Sequence, residues 1–389
     1  MSTTKTSSTF KNSTYWKAST GVTVVLALSL FSMLYAVHNK YSPHPEQLDS
    51  TKKINQLLED YEKKFPSPKE NPLIRIPTGS FIQSFEFLDP ETVRVTGYIW
   101  QKYDAVAKQH GIEPGFTLPQ IITTQRTGYK EKAYQFDYAD YTLYGWYFEA
   151  DLYQHFNYET YPFDRKTIWL RMWPKHFYDN VVLTPDLETY QSTRAEDTFG
   201  LDQELVLKGF DLKETYFSYK LTSYDTNFGI KQYVGTHDFP EMYFNVVIKR
   251  KLTNILVIYL LPIFVVWCIL FALLLIITRD PTQAKRFSFS TAGILASSAA
   301  LFFTVILSHV NLRADFIGYP LMYIEFFYII SYLIIIFLAM DGYLICRKKA
   351  PPKLFAWRDN LLPRILFWPV ILGTIDLVTL TRFFFNSGH

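Results

Sequence analysis

Residues 287–310 read FSFSTAGILASSAALFFTVILSHV. The stretch is long enough to cross a bilayer, for which about 20 apolar residues suffice. Serine, threonine and alanine are nonetheless dense in it. At steps of three or four residues one helical face collects Ser290, Ile294, Ser297, Leu301, Thr304 and Ser308. The flanking faces carry Phe289, Leu295, Phe302, Phe303, Val305 and Ile306. Small hydroxyls along one face of an apolar helix have two uses: close packing on another helix, or contact with water along a pore. The stretch alone leaves both open.

The surrounding chain has two unlike parts. Residues 40–250 are polar, aromatic and rich in turn residues, whereas residues 252–385 are mostly apolar. In 389 residues this contrast predicts separate domains, one of them in a membrane. Aromatics reach 18%, with 28 Tyr and 33 Phe, which suits a β-rich domain together with aromatic belts at a membrane interface. The two cysteines, Cys268 and Cys346, both fall in or beside apolar segments, so no disulfide framework is expected. A net charge of +3 gives no reason to expect a nucleic-acid partner.

Taken in order, residues 1–19 are Ser/Thr-rich and carry Lys5, Lys11 and Lys17 without an acid. The apolar run at 21–37 follows. It is either a cleaved signal or an uncleaved anchor. The anchor is preferred, because Leu34, Tyr35 and Ala36 make a poor cleavage site. Residues 1–38 therefore form a cytosolic tail and signal anchor. Residues 39–72 form a linker with a short helix, capped near Asp49 and Ser50, with Ile54, Leu57, Leu58 and Tyr61 on one face. Pro66 and Pro68 end it.

From Leu73 the period changes to two. Strands are expected at 79–87, 92–100, 141–156, 167–172, 180–183, 210–221, 228–234 and 242–250, with no helical pattern between them. That predicts an antiparallel β-sandwich over 73–250. Four apolar segments follow within 251–389: 255–277 with Pro262, the opening stretch, 321–344 with Glu325, and 365–385 with Asp376 and Arg382. Arg279, Lys285 and Arg286 mark one loop; Arg347, Lys348, Lys349, Lys353, Arg358 and Arg364 mark another. Both are expected inside the cell. The two orientation signals agree, leaving the N-terminus cytosolic and the β domain outside.

No Gly-rich phosphate loop, HExxH, paired CxxC or Gly-x-Ser-x-Gly occurs, so neither an enzyme nor a bound cofactor is expected. The eight histidines are scattered, and His155 and His176 read as structural residues rather than metal ligands.

Several motifs fall in a telling order. They are Thr78 to Glu91 (TGSFIQSFEFLDPE), Gly97 to Asp104 (GYIWQKYD), Tyr161 to Asp164 (YPFD), Ile248 to Arg250 (IKR), Pro262 with Trp267, and Asn311 to Arg313 (NLR). Together they resemble the pentameric ligand-gated ion channels, or Cys-loop receptors, in the prokaryotic type without the disulfide. The resemblance covers about residues 73–385. The departures are an extra N-terminal span, Lys166 where glutamine is usual, and a missing proline after the second helix of the bundle.

The resemblance implies an extracellular or periplasmic β-sandwich joined to an all-α four-helix transmembrane bundle, multi-pass in the plasma (bacterial inner) membrane. It implies a homopentamer whose pore is lined by residues 287–310. On the hydroxyl register the lining is Ser290, Ile294, Ser297, Leu301, Thr304 and Ser308. Aligning Arg286 with the family's inner-mouth basic residue would favour Ser288, Ala292, Leu295, Ala299 and Phe302; aligning the outer loop would favour Ala292, Ala296, Ala299 and Phe303. The basic residues near the inner mouth point to anions or to weak selectivity. Asp89, Asp164, Arg250 and Arg313 take the positions that couple domains. An agonist, a small molecule or a proton, would act on the exported domain. The aromatic candidates between subunits are Trp100 and Tyr103 on one side, and Trp173, Phe177 and Tyr233 on the other. A membrane-anchored receptor of the same fold that conducts nothing is the alternative.

Overall fold

Period-two alternation dictates the strands, and the strands form two sheets. The structure, a computed structural model, describes residues 4–40, 44–122, 129–231, 238–279, 284–285, 290–346 and 357–385. It divides into two units. One comprises Ser42–Phe156 and Arg165–Lys251; the other comprises Met1–Tyr41, Asn157–Asp164 and Leu252–His389.

In the first unit, β1 (Ile74–Phe87), β2 (Thr92–Asp104), β4 (Tyr129–Asp137), β5 (Tyr141–Tyr153) and β7 (Val181–Pro185) make a five-stranded sheet in the order β4-β5-β2-β1-β7. The second sheet runs β3-β6-β9-β8, from β3 (Phe116–Thr117), β6 (Arg165–Pro174), β8 (Phe210–Thr222) and β9 (Phe239–Arg250). Of the strand pairs among the described residues, only β1 with β7 is parallel. Ile82, Val95 and Leu152 from one sheet and Ile168, Leu170 and Val246 from the other line a common interior, so the sheets pack face to face as a sandwich. Phe217 and Phe244, both fully buried, pack with ring centroids 4.9 Å apart in that core. Burial of each such side chain is worth about 1.5–3 kcal/mol.

Helix α2 (Thr51–Lys64) belongs to this unit. Ile54, Leu58 and Tyr61 are its buried residues, and Tyr61 meets Phe239 edge-on at 6.0 Å. Ser50 is its N-cap residue, but its side chain makes no capping bond. A short α3 (Ala105–Gln109), which the period-two pattern did not announce, is capped properly. Asp104 accepts from the Ala107 N–H at 2.8 Å.

The strand expectations differ from the structure in three places. The two-residue β3 is too short to show a period. β4 was not expected, because YKEKAYQFD lacks an apolar face. It pairs only with β5 and lies at the sheet edge, where charged residues are tolerated. The strand expected at 228–234 is a turn in its described part. Phe228 and Gly229 take φ of 53° and 75°, and Asn227 accepts from the Gly229 N–H. Residues 232–237 lie outside the described ones.

Among its described residues the second unit holds five helices long and apolar enough to cross a membrane. They are α1 (Thr4–Asn39), α4 (Leu252–Ile276), α5 (Thr291–Ala314), α6 (Glu325–Cys346) and α7 (Leu361–Leu380). A π turn at Leu256–Leu260 interrupts α4 just before Pro262, as expected where proline cannot donate to the helix ladder. Polar bonds and close approaches pin neighbouring helices. The Trp267 indole donates to Ser331 on α6 at 2.8 Å, and Tyr323, just ahead of α6, bonds Thr379 on α7 at 2.9 Å. A Cβ at Gly342 would lie 2.9 Å from Ile294, so glycine is what lets α6 approach α5.

Helix α1 lies along α7. Its half-buried positions include Trp16, Ser19, Thr23, Leu26, Leu30, Met33 and Val37, a stripe of coiled-coil spacing. The Ser19 hydroxyl donates to the Ile365 carbonyl, and Leu26 abuts Gly373.

Phe244→Ala removes a fully buried ring from a sandwich that has no disulfide among its described residues. It should cost about 3–5 kcal/mol. Chemical denaturation followed by near-ultraviolet circular dichroism measures this; a loss below about 1 kcal/mol would contradict the core assignment.

Candidate functional site

The helical unit incorporates Asn157–Asp164, which the chain inserts between β5 and β6. Its sequence, NYETYPFD, carries the Tyr161-Pro162-Phe163-Asp164 motif, with a cis bond before Pro162. Backbone bonds bind it to the residues that lead into α6. The Tyr323 N–H donates to the Glu159 carbonyl at 2.9 Å and the Ile324 N–H to the Tyr161 carbonyl at 3.2 Å. Aromatic rings complete the seat. Tyr158 and Tyr161 lie 4.9 and 5.1 Å from Phe316, and Phe163 lies 5.9 Å from Tyr323. Arg382 pairs with Glu159 at 3.2 Å.

The same end of the unit contains a buried carboxylate. Glu325 is 2% exposed and opens α6. It accepts from the Met322 N–H at 2.8 Å, from Arg313 at 3.3 Å, and faces His309 at 3.3 Å. Arg313 also donates to the Tyr319 and Pro320 carbonyls. His309 stacks on Tyr328 at 4.8 Å and bonds the Tyr332 hydroxyl at 3.0 Å. One carboxylate thus ties the last turns of α5 to the first turn of α6. Arg313 is one of the residues that the resemblance expects to couple the domains; Glu325 has no role in that expectation. The signal was available: a basic and an acidic residue flank one short connection.

Helix α5 turns different residues away from the bundle than the hydroxyl register expects. Ser290 is its N-cap, accepting from the Gly293 N–H at 3.0 Å. Ile294 is buried against Gly342, and Ser308 bonds the Tyr328 hydroxyl at 2.9 Å. Ser297 and Leu301 are half-buried on the flank; Thr304 is exposed and bonds back to the Ala300 carbonyl. The exposed residues include Ala292, Ala296, Ala299, Ala300, Phe303, Leu307 and Val310. These seven fall on one side of the helix, opposite buried Ile294, Ser298, Val305 and Leu312. This free face matches the register of Ala292, Ala296, Ala299 and Phe303. Of the inner-mouth register, Ser288 and Arg286 lie outside the described residues.

In the sandwich, Trp173 and Phe177 come together, with ring centroids 5.2 Å apart. Tyr224 and Phe228 join them, Phe228 lying 5.3 Å from Phe177. A buried ion pair borders the cluster. Glu241 receives two bonds from Arg171, at 2.7 and 3.0 Å, and one from the Tyr224 hydroxyl at 2.6 Å. Trp173 and Glu241 line a cavity of about 20 Å³, room for about one water, and the Trp173 indole N–H has no partner among the described residues. Tyr233 lies outside the described residues.

Trp100 and Tyr103 belong to the other sheet and are engaged within it. Trp100 donates to Asp186 at 3.0 Å and lies over Gly79, where a Cβ would fall 2.2 Å from the ring. Tyr103 is 2% exposed; its hydroxyl donates to Gln101 and accepts from the Gly115 N–H, and burial raises its pKa. Asp89 closes the β1–β2 turn on the Glu91 N–H at 2.7 Å. Arg250 stacks over Phe210 at 4.4 Å, Lys166 lies over Phe156 at 4.6 Å, and Asp164 is 3% exposed.

Among the described residues no group of His, Cys, Asp and Glu could hold a metal ion. No protein-family model matches the chain, and no curated protein is significantly similar to it.

Glu325→Ala strands Arg313, His309 and the Met322 N–H together. It should cost stability toward the lower end of the about 3–5 kcal/mol typical of a broken buried pair, because Arg313 is 37% exposed. Arg313→Ala should cost less, since Glu325 keeps the Met322 N–H and His309. Thermal unfolding in detergent micelles checks the order; equal or reversed losses would refute it.

Proposed function

We propose that the chain is a subunit of a pentameric ligand-gated ion channel whose pore is lined by α5. The observation that carries this reading is the free face of α5. Ala292, Ala296, Ala299 and Ala300 leave room beside the axis of a ring, while Phe303 and Leu307 supply bulk for a constriction that dewets. Thr304 and the half-buried Ser297 add hydroxyls at the edge of the face. Five copies would stack each residue into a ring, and a single helix cannot enclose water alone. The β-sandwich, the following apolar helices and the Tyr161-Pro162-Phe163-Asp164 segment seated among those helices support the same reading.

In this reading the exported sandwich receives the agonist at the cluster of Trp173, Phe177, Tyr224 and Phe228. Aromatic faces beside the Arg171–Glu241 pair suit a small cation or zwitterion. Movement then passes through residues 157–164 to the Arg313–Glu325 junction, where α5 meets α6. The lysine-bearing segments would face the cytosol. A receptor of the same fold that does not conduct is the second reading, favoured by how apolar the free face of α5 is.

The test is cysteine accessibility along α5, in a background lacking Cys268 and Cys346, with currents recorded from purified protein in planar bilayers. Cysteines at Ala296, Ala299 and Leu307 should react with a water-soluble thiol reagent and block current; those at Ile294 and Val305 should not. Leu307→Ser should lengthen openings. Five-fold particles that pass no current across ligands and pH would leave the receptor; the reverse pattern of reactivity would remove α5 from the pore.

A further inference from the structure

Among the described residues, one polar pair in the helical unit lacks the charge compensation that Glu325 enjoys. Asp341 on α6 and Asn360, the N-cap residue of α7, are both 0% exposed. The Asn360 Nδ2–H donates to Asp341 Oδ2 at 2.6 Å. The other two oxygens, Asp341 Oδ1 and Asn360 Oδ1, have no hydrogen-bond partner among the described residues.

The charges around it among the described residues are engaged elsewhere. Arg364 on α7 donates to the Leu274 and Ile277 carbonyls and acts on Asp341 only from beyond ion-pair distance. Asp359 accepts from the Thr278 hydroxyl at 2.6 Å and from the Arg279 N–H at 2.7 Å. Arg279 Nε donates to the Ile345 carbonyl. From α5, the neighbour of this stretch is apolar Ile294, against Gly342.

An ionised carboxylate without a cation is costly in such a place. An amide oxygen without a donor is a further cost. One proton removes both. We propose that Asp341 is a proton-binding site: it is protonated on Oδ1 at neutral pH, and its O–H donates to Asn360 Oδ1 to close a two-point acid–amide pair. The proton comes from bulk water and returns there, so nothing else is consumed. Glu325 marks the contrast, since a backbone N–H and Arg313 donate to its carboxylate and His309 faces it. The proton is then part of what joins the start of α7 to α6. This assignment stands apart from the channel reading.

Infrared spectroscopy of the full chain in lipid tests it. A protonated-carboxyl C=O band should be present at neutral pH in the wild type and in E325Q. It should be reduced by the intensity of one carboxyl in D341N; D376N identifies any share from Asp376, another buried acid with an unpartnered oxygen. Asn360→Ala should shift the band to higher frequency by removing its acceptor, a readout available even if D341N does not fold. D341N removes the proton site, so the pH profile of its melting temperature should differ from that of the wild type. A band untouched by D341N, a frequency unmoved in Asn360→Ala, or identical pH profiles would each overturn the proposal.

Discussion

Helices in an apolar medium must satisfy their polar groups from within the protein, because lipid offers neither donor nor acceptor. The helical unit shows that constraint at its junctions. The carbonyls of Leu274 and Ile277, left open where α4 ends, are taken by Arg364 from α7. Trp267 finds Ser331, Tyr323 finds Thr379, and Ser308 finds Tyr328. These bonds are few, and each joins two different segments of the unit. They choose which helices are neighbours, while the apolar contacts between them supply area without choosing.

The sandwich solves another problem. It has no disulfide among its described residues and relies on interlocking aromatics. In Tyr190 the ring contacts Phe199 and Phe217, while the hydroxyl both accepts from the Ser80 N–H and donates to the Ser80 carbonyl. Burial pushes that phenol up. Such residues add rigidity as well as hydrophobic area, because ring and hydroxyl must fit at once.

Period and punctuation made most of the architecture legible. Alternating residues marked every long strand except β4, and unbroken apolar runs marked the helices. β4 escaped because its apolar residues do not repeat, and an edge position does not require them to. The turn at Phe228 and Gly229 escaped because a β-branched and aromatic composition resembles a strand until the backbone angles are known. At the candidate site, the pairing of Arg313 with Glu325 is foreshadowed only by a basic and an acidic residue flanking the short connection at Gly318; that they meet depends on how the chain reverses there. The hydroxyls of α5 illustrate the general difficulty. Ser290 caps, Ser308 ties, and Thr304 bonds its own backbone. A serine in an apolar helix reports a need for a partner, and only the fold says which.

The stripe that α1 lays along α7 has a consequence for the perimeter of the helical unit. A helix at the rim of a bundle usually offers most of its circumference to lipid. Here α1 covers one side of α7, whose Leu366, Val370 and Leu377 stay exposed, and adds an outer side of its own, with Val24, Val25, Leu28 and Phe31 exposed. On that side the unit carries a partial sheath. Annular lipids would exchange against residues that hold no polar network of their own, while Asp376 sits behind them with Ser29 as its neighbour. Changes in bilayer thickness would first act on the tilt of this outer helix, and the inner helices would feel them through its hydroxyl-bearing seam.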